Sequence, residues 1–213
     1  MKFTFFTLIS FFMLPLMILA QPNSDIQLPE PITSGGMPLM DALSHRKTTR
    51  VFAEKDLDLQ TLSNLLWAAN GFNRREDKKR TVPTSRNKQE MEVYVAMKSG
   101  LYLYDAWENK LILKVAGDIR AATGLQDYVA TAAVNLVFVA NVEKVEDPSS
   151  ERQLMASHIN TGYIAQNVYL FCASEGLATV SRGYFDQAVT SEAMQLGPLQ
   201  KVILCQSVGY PGE

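Results

Sequence analysis

The sequence predicts an α+β fold built on a mixed sheet with helices packed against it, and three observations carry that prediction. Strand-like runs are interspersed with helical ones without a strict βαβ repeat. Residues 101–104 and 111–115 read as a hairpin joined through Glu108-Asn109-Lys110. One helical pattern, residues 151–174, is far longer than the rest. Apolar and small residues (Leu154, Ile159, Gly162, Ala165, Val168, Tyr169, Cys172) wrap much of its circumference, which places it in the interior or in a subunit interface.

The first twenty of the 213 residues stand apart from this pattern. Lys2 is followed by an apolar run over residues 3–19, and Ala20 precedes the polar Gln21-Pro22-Asn23-Ser24, the layout of a secretory signal peptide. The alternative is a membrane anchor formed by residues 3–19, since the run is close to the minimum that spans a bilayer. No Cys lies near the cut and no Arg-Arg pair precedes the run. A lipid anchor is therefore not expected, and a cofactor would be acquired after export, in the periplasm or outside the cell. Removing residues 1–20 deletes one positive charge, Lys2, so the formal charge goes from −2 to −3. That balance gives no support to nucleic-acid binding. Residues 21–36 are an extended lead-in, and residues 37–213 suffice for one domain of the usual roughly 100–200 residues.

Within the domain each element has a local cause. Pro38 suits the first turn of a short helix running to about Ser44. Asp58 caps a second helix with Leu59, Leu62, Leu65, Leu66 and Ala69 on one face, and Asn70-Gly71 stops it. Residues 72–82 mix Arg74, Arg75, Lys78, Lys79 and Arg80 with Glu76 and Asp77, which reads as a solvated, mobile loop. A strand over 91–97 follows, and Tyr94, Tyr102 and Tyr104 are expected on one sheet face. Helical stretches around 119–123 and 126–133 lead to residues 136–140, continuously apolar like a buried central strand. Asp147-Pro148-Ser149 breaks the chain, and Gly176 ends the long helix. A strand over 177–181, a tight polar turn over 182–186, a short helix near 190–196 and a strand over 201–208 complete the domain.

The residues also suggest chemistry. Between the first helix and a hydrophobic pair stands His45-Arg46-Lys47-Thr48-Thr49-Arg50, three cations and two hydroxyls in one short stretch. Arginine offers a planar fork of donors that matches phosphate oxygens, and a threonine hydroxyl adds a neutral bond, so the stretch reads as an anion cradle. A solvated basic turn at a helix end is the competing reading. Cys172 and Cys205 look like small buried residues. The two histidines, His45 and His158, stand at no metal-ligand spacing from them, so no metal is expected. No Ser-His-Asp, Cys-His or paired-carboxylate signature is present, and Glu92, Asp105 and Asp186 read as surface or capping carboxylates.

Four segments in order carry a resemblance: Arg46-Lys47-Thr48-Thr49-Arg50; Pro83-Thr84-Ser85-Arg86-Asn87-Lys88-Gln89; Gly162 through Asn167 with Glu175-Gly176-Leu177; and Gly183-Tyr184-Phe185-Asp186 with Gly209-Tyr210-Pro211. Together they resemble the FMN-dependent nitroreductase family over roughly residues 38–211. The runs Leu65-Leu66-Trp67-Ala68-Ala69-Asn70-Gly71 and Gly100-Leu101-Tyr102-Leu103-Tyr104-Asp105 look like its thiazole/oxazole dehydrogenase-like (SagB-type) branch. The resemblance implies a mainly antiparallel sheet flanked by helices and a homodimer with a long central helix, with FMN at the subunit interface. It implies that Arg46, Thr48 and Arg50 hold the phosphate and ribityl chain, while Pro83, Thr84, Ser85 and Asn87 reach the flavin from the partner subunit. The Gly183-Tyr184 backbone would lie against the flavin ring, and Lys47 and Thr49 would be structural. Where the family has basic residues after its Gly-Tyr-Pro segment this sequence has Gly212-Glu213, so phosphate binding would lean on Arg46 and Arg50, with Arg182 a further candidate.

The implied activity is an oxidoreductase that shuttles a hydride through flavin N5 between a donor and a small electron-poor acceptor. NAD(P)H, the family's common donor, is scarce outside the cytoplasm, which leaves the donor open. The competing function is an exported protein that keeps the fold, has lost stable FMN, and serves as a non-catalytic binding module. A third, an interaction module using the basic stretch 72–80, rests on charge alone.

Overall fold

The computed structural model describes residues 24–145 and 151–213; the expected signal peptide and the break at Asp147-Pro148-Ser149 lie outside the described residues. In chain order the elements are β1 (Ile26–Gln27), α1 (Leu39–His45), α2 (Leu59–Asn70), β2 (Phe72–Arg74), β3 (Lys79–Arg80), β4 (Met91–Met97), β5 (Gly100–Asp105), β6 (Lys110–Ala116), β7 (Val134–Asn141), α3 (Glu151–Glu175), β8 (Ala178–Arg182), α4 (Gln187–Ala193) and β9 (Gln200–Gly209). Seven strands form one sheet in the order β1-β6-β5-β4-β7-β9-β8, and every neighbouring pair is antiparallel. The α+β expectation holds. No described helix is long and apolar enough to cross a membrane.

The two faces of the sheet bury different residues because side chains alternate along a strand. Val93 and Val95 of β4 with Leu136 and Phe138 of β7 face α2 and α3, meeting Leu62, Leu65, Leu66 and Ala69 from one helix and Ile164, Val168 and Cys172 from the other. Val137, Val139 and Cys205 face the opposite way, onto Met194 just beyond α4. Each fully buried aliphatic side chain contributes about 1.5–3 kcal/mol, so the two-helix face holds most of the hydrophobic stabilisation. The tyrosines divide between the faces. Tyr94 pairs with Leu103 whereas Val95 pairs with Tyr102, so Tyr94 lies on the face opposite Tyr102 and Tyr104. Strand register decides this, and spacing within one strand does not reveal it.

Local signals set the helix ends. Asp58 accepts the Thr61 N–H at 2.8 Å and caps α2, which stops at Asn70 as expected. Gly176, at φ +68°, takes the left-handed conformation that ends α3. Asp186 belongs to no tight turn: its carboxylate accepts the N–H groups of Ala188 and Val189 and starts α4 at Gln187, three residues earlier than the apolar pattern suggests. The helical stretches expected over 119–123 and 126–133 are short 3₁₀ turns, Arg120–Thr123 and Asp127–Val129.

The basic stretch expected as a mobile loop is instead a braced hairpin, β2–β3. The Arg80 guanidinium stacks 4.2 Å from the Phe72 ring and donates to the Asn70 carbonyl at 2.6 Å. Arg75 stacks 4.6 Å from the Trp107 ring and donates to the Trp107 carbonyl, while Phe72 meets Trp107 edge-on at 5.2 Å. Cation–π contacts of about 0.5–1 kcal/mol each, invisible in a charge count, order the segment. The lead-in is stitched down as well: the Pro29 carbonyl accepts from Ser63 and Asn109, and Ile32 N–H donates to Asn64.

Both cysteines are free and buried. Burial raises the Cys172 thiol far above its ordinary value and pushes Cys205 up to about 12. Thiolate is the reactive form, so at pH 8 the folded protein is expected to react with a thiol-disulfide reagent only as it unfolds, in step with the loss of helical signal. Two fast equivalents from native protein would contradict this burial.

Candidate functional site

The cradle is shaped by what holds its backbone. Arg46 N–H donates to the Ala42 carbonyl and closes the last turn of α1, after which the chain is extended. It then runs beside β8, the edge strand of the sheet, where Thr49 N–H donates to the Thr179 carbonyl at 3.0 Å. On its other side lies the C-terminal tail. Gly212 N–H donates to the Val51 carbonyl and Ala53 N–H to the Tyr210 carbonyl, each at 3.0 Å, and Phe52 bridges Pro211. The Gly209-Tyr210-Pro211 segment thus acts on the cradle through its backbone. A Cβ on Gly212 would meet the Val51 side chain at 2.9 Å and the Phe52 backbone at 3.0 Å, so this close approach favours glycine.

Arg46 is half-buried, while Thr48 and Arg50 are exposed. Beneath them sits a residue that sequence reasoning assigned only to the apolar surface of the long helix. The Tyr169 ring of α3 lies 5.2 Å below the Arg46 guanidinium, and its hydroxyl is 3.0 Å from Thr48 Oγ1. The same hydroxyl accepts Ser181 N–H at 3.0 Å and lies 3.3 Å from Ser181 Oγ. Burial raises the phenol pKa, but its bonds with Ser181 and Thr48 and the nearby Arg46 charge outweigh burial, and the net shift is downward. A helical-period reading classifies Tyr169 as core; no sequence signal distinguishes it.

Beside the cradle opens a cleft of about 630 Å³, lined by His45, Arg46, Lys47, Thr49, Tyr169, Thr179, Pro211 and Gly212 among others. That volume lies within the usual range of small-molecule sites. Lys47, expected to be structural, faces this cleft and is exposed; Thr49 is half-buried. Of the expected phosphate ligands Arg46 lines the cleft, together with Lys47 and Thr49, while Thr48 and Arg50 do not; the donors that face it and its size fit a phosphate-bearing ligand.

The other expected residues divide. Gly183 and Tyr184 lie two and three residues beyond Ser181, where β8 has ended; Tyr184 is 68% exposed and its carbonyl accepts from Leu125 N–H. Arg182 is not a phosphate ligand. It is 3% exposed and points inward, where it donates to the Thr123 carbonyl at 2.7 Å, Ser207 Oγ at 3.1 Å and Asn135 Oδ1 at 3.2 Å. Desolvation lowers its pKa. A Cβ on Gly124 would overlap its Nη1. Alternation along β8 turns Arg182 away from the side that Tyr169 and the cradle occupy.

Pro83, Thr84, Ser85 and Asn87 lie elsewhere in the chain. Pro83 and Thr84 lead into the 3₁₀ turn Ser85–Asn87 before β4, with Arg86, Asn87 and Gln89 at φ +53°, +55° and +51°. Gln89 ties this turn to the braced hairpin by accepting from Arg80 at 2.8 Å and donating to Asn87 at 3.1 Å. The following Glu90, 2% exposed, accepts from Asn160 at 2.7 Å and Ser157 at 3.2 Å on α3. Ser157 and Tyr169 are twelve residues apart, roughly 18 Å along the helix at 1.5 Å per residue. One chain therefore joins Arg46, Thr48 and Ser181 through Tyr169 and holds the 83–87 turn toward the other end of α3.

Glu92 is held by Asn141, Lys144 and Gln200, and Asp105 accepts two N–H groups in the β5–β6 turn, so neither is poised for acid-base work. No group of metal-ligating side chains occurs among the described residues.

Comparison with known proteins agrees with this architecture. A candidate nitroreductase structure from Ralstonia eutropha superposes with a TM-score of 0.86 at 40% identity, covering 92% of this chain and 93% of that one. A candidate nitroreductase of Methanocaldococcus jannaschii is 31% identical over 171 residues, 76% of this chain and 84% of its own length. The microcin synthetase McbBCD complex of Escherichia coli contains a chain of the same fold, with a TM-score of 0.68 at 18% identity over 97% of this chain and 85% of that one. The profile described as "Nitroreductase family" matches residues 43–210, from the end of α1 to the C-terminal tail that clamps the cradle. By that match, and by relatives aligned over most of both chains, the protein belongs to the nitroreductase family of oxidoreductases.

Proposed function

We propose that the protein is an FMN-dependent oxidoreductase, exported by its N-terminal segment, that works as a homodimer on a small electron-poor acceptor. The observation that carries this reading is the arginine-threonine cradle fixed over Tyr169 beside a ligand-sized cleft. Arg46, Thr48 and Arg50 would hold the phosphate and ribityl chain. The Gly183-Tyr184 backbone, placed by Ser181, would orient the ring. When bound, FMN supplies two-electron chemistry at N5, and the protein's part is to position it and exclude water. The likeness of the Leu65–Gly71 and Gly100–Asp105 runs to the thiazole/oxazole dehydrogenase-like branch suggests a dehydrogenase direction for the same site.

A partner subunit supplies what one chain lacks. Met155, Ile159 and Tyr163 are 65%, 46% and 45% exposed on one stripe of α3, with the exposed Gly162 between them, and Leu39 and Met40 of α1 add 63% and 74% exposed surface. A stripe this apolar fits a helix interface with a close approach at Gly162. A two-fold across α3 would bring the 83–87 turn of one subunit toward the cradle of the other. Ile159→Glu is expected to convert the dimer to monomer in light scattering and to cost FMN retention as well. An Ile159→Glu dimer that keeps its flavin would remove the subunit interface from this reading.

The direct test is to incubate residues 21–213 with FMN and pass the protein through gel filtration. Co-eluting flavin absorbance supports the assignment. A folded, colourless protein would overturn it in favour of a non-catalytic member of the fold.

A further inference from the structure

We infer that Tyr169 is a positioning residue that couples the two ends of the flavin site, setting both the anion cradle and the ring-facing backbone from one side chain. The inference rests on the FMN reading above and goes beyond it by assigning a residue outside the segments that carry the family resemblance.

Three contacts converge on this side chain from three parts of the fold. Its ring supports the Arg46 guanidinium from 5.2 Å, its hydroxyl meets Thr48 Oγ1 at 3.0 Å, and it accepts Ser181 N–H at 3.0 Å. The last bond matters most for geometry. Ser181 lies in β8, the edge strand, so its outward N–H has no neighbouring strand to bond. Tyr169 takes that place, and two residues later the chain reaches Gly183. One phenol therefore fixes the direction in which β8 delivers the Gly183-Tyr184 backbone, while the same ring limits where Arg46 can go. α3 is a suitable base, because Ile164, Val168 and Cys172 on either side of Tyr169 are fully buried. The downward shift of the phenol pKa, against the effect of burial, agrees with a hydroxyl held by several polar partners.

The two functions separate by substitution. Tyr169→Phe keeps the ring under Arg46 and removes the hydroxyl; Tyr169→Leu removes both. Riboflavin has the ring and the ribityl chain without the phosphate, so comparing it with FMN reads the two ends independently. We expect Tyr169→Phe to weaken FMN and riboflavin by a similar factor, about 5–10-fold, the value of one hydrogen bond of about 1 kcal/mol or slightly more. It should also shift the midpoint potential of bound FMN. Tyr169→Leu should in addition shrink the preference for FMN over riboflavin, because Arg46 loses its support. Thr48→Val combined with Tyr169→Phe should cost less than the sum of the single changes, since both disrupt one bond.

The readouts are dissociation constants from flavin fluorescence quenching, the midpoint potential, and the thermal midpoint of the flavin-free protein. A Tyr169→Phe protein with wild-type affinities and potential overturns the inference. So does a change in thermal midpoint with no change in flavin binding, which would make Tyr169 a packing residue only. Wild-type protein that binds neither flavin is a separate result: it overturns the FMN assignment itself and this inference with it.

Discussion

Replacing Arg46 by alanine is expected to raise the dissociation constant for FMN by roughly 10–100-fold, while the protein stays folded. The size follows from the loss of a charge-assisted bond to phosphate, about 1.5–3 kcal/mol, at roughly 1.4 kcal/mol per factor of ten. Folding should be little affected, because Arg46 is half-buried, its side chain lies over the Tyr169 ring and its backbone bond to Ala42 survives the change. Arg50→Ala, at an exposed position, should show the same direction and a smaller effect. Riboflavin binding provides the control, since it has no phosphate for either arginine to hold. Unchanged FMN retention in both variants, measured after gel filtration, would remove the anion cradle as the basis of the assignment.

Arg182→Met is expected to destabilise the protein by about 3–5 kcal/mol without acting at the cradle. Arg182 is the shared donor for Thr123, Asn135 and Ser207, and all three partners are buried. Removing it leaves the Thr123 carbonyl without that donor and takes one bond each from Ser207 and Asn135, which keep their bond to each other. Three lost bonds in a buried network, at about 1–3 kcal/mol for an acceptor left bare and about 1 kcal/mol for each of the others, set the size. For a domain near this size that lowers the melting temperature by roughly 2–4 °C per kcal/mol, so by about 6–20 °C in total. Arg182→Lys should recover only part of the loss, because an ammonium point charge cannot span acceptors set around a planar fork. Differential scanning calorimetry of the three proteins decides the matter. A melting temperature within 2 °C of wild type for Arg182→Met would show that the buried network carries little of the stability.

These two arginines also show where a sequence can and cannot be read. The anion reading of the cradle comes from local chemistry: Arg46, Thr48 and Arg50 lie within five residues, and their donor types alone suggest an anion. The extent of α2 was legible for the same reason, since Asp58 and Gly71 signal its ends within the helix's own neighbourhood. Arg182 stands beside Gly183 in sequence and suggested a phosphate ligand, but β8 turns it inward to partners 47 and 25 residues away, Asn135 and Ser207. Tyr169 meets Arg46 and Thr48 across a contact between α3 and the extended cradle, 121 residues apart in sequence for Thr48. The order in the 72–80 segment came from Phe72 and Trp107, which a count of charges does not weigh. In each case the missing information was a partner distant in the chain, and only packing supplies it.

The clamp on the cradle links the ends of the domain. Val51 accepts from Gly212 and Ala53 donates to Tyr210, so these contacts close a loop that spans nearly the whole domain. Closing so long a loop is entropically costly until the sheet between has brought its ends together, and non-local contacts of this kind slow folding. On a ribosome, Arg46 emerges early, yet the backbone just after it cannot be clamped until Tyr210 and Gly212 have been made. A molecule truncated before Tyr210 could build the helices and most of the sheet and still lack the two bonds that hold the 51–53 backbone.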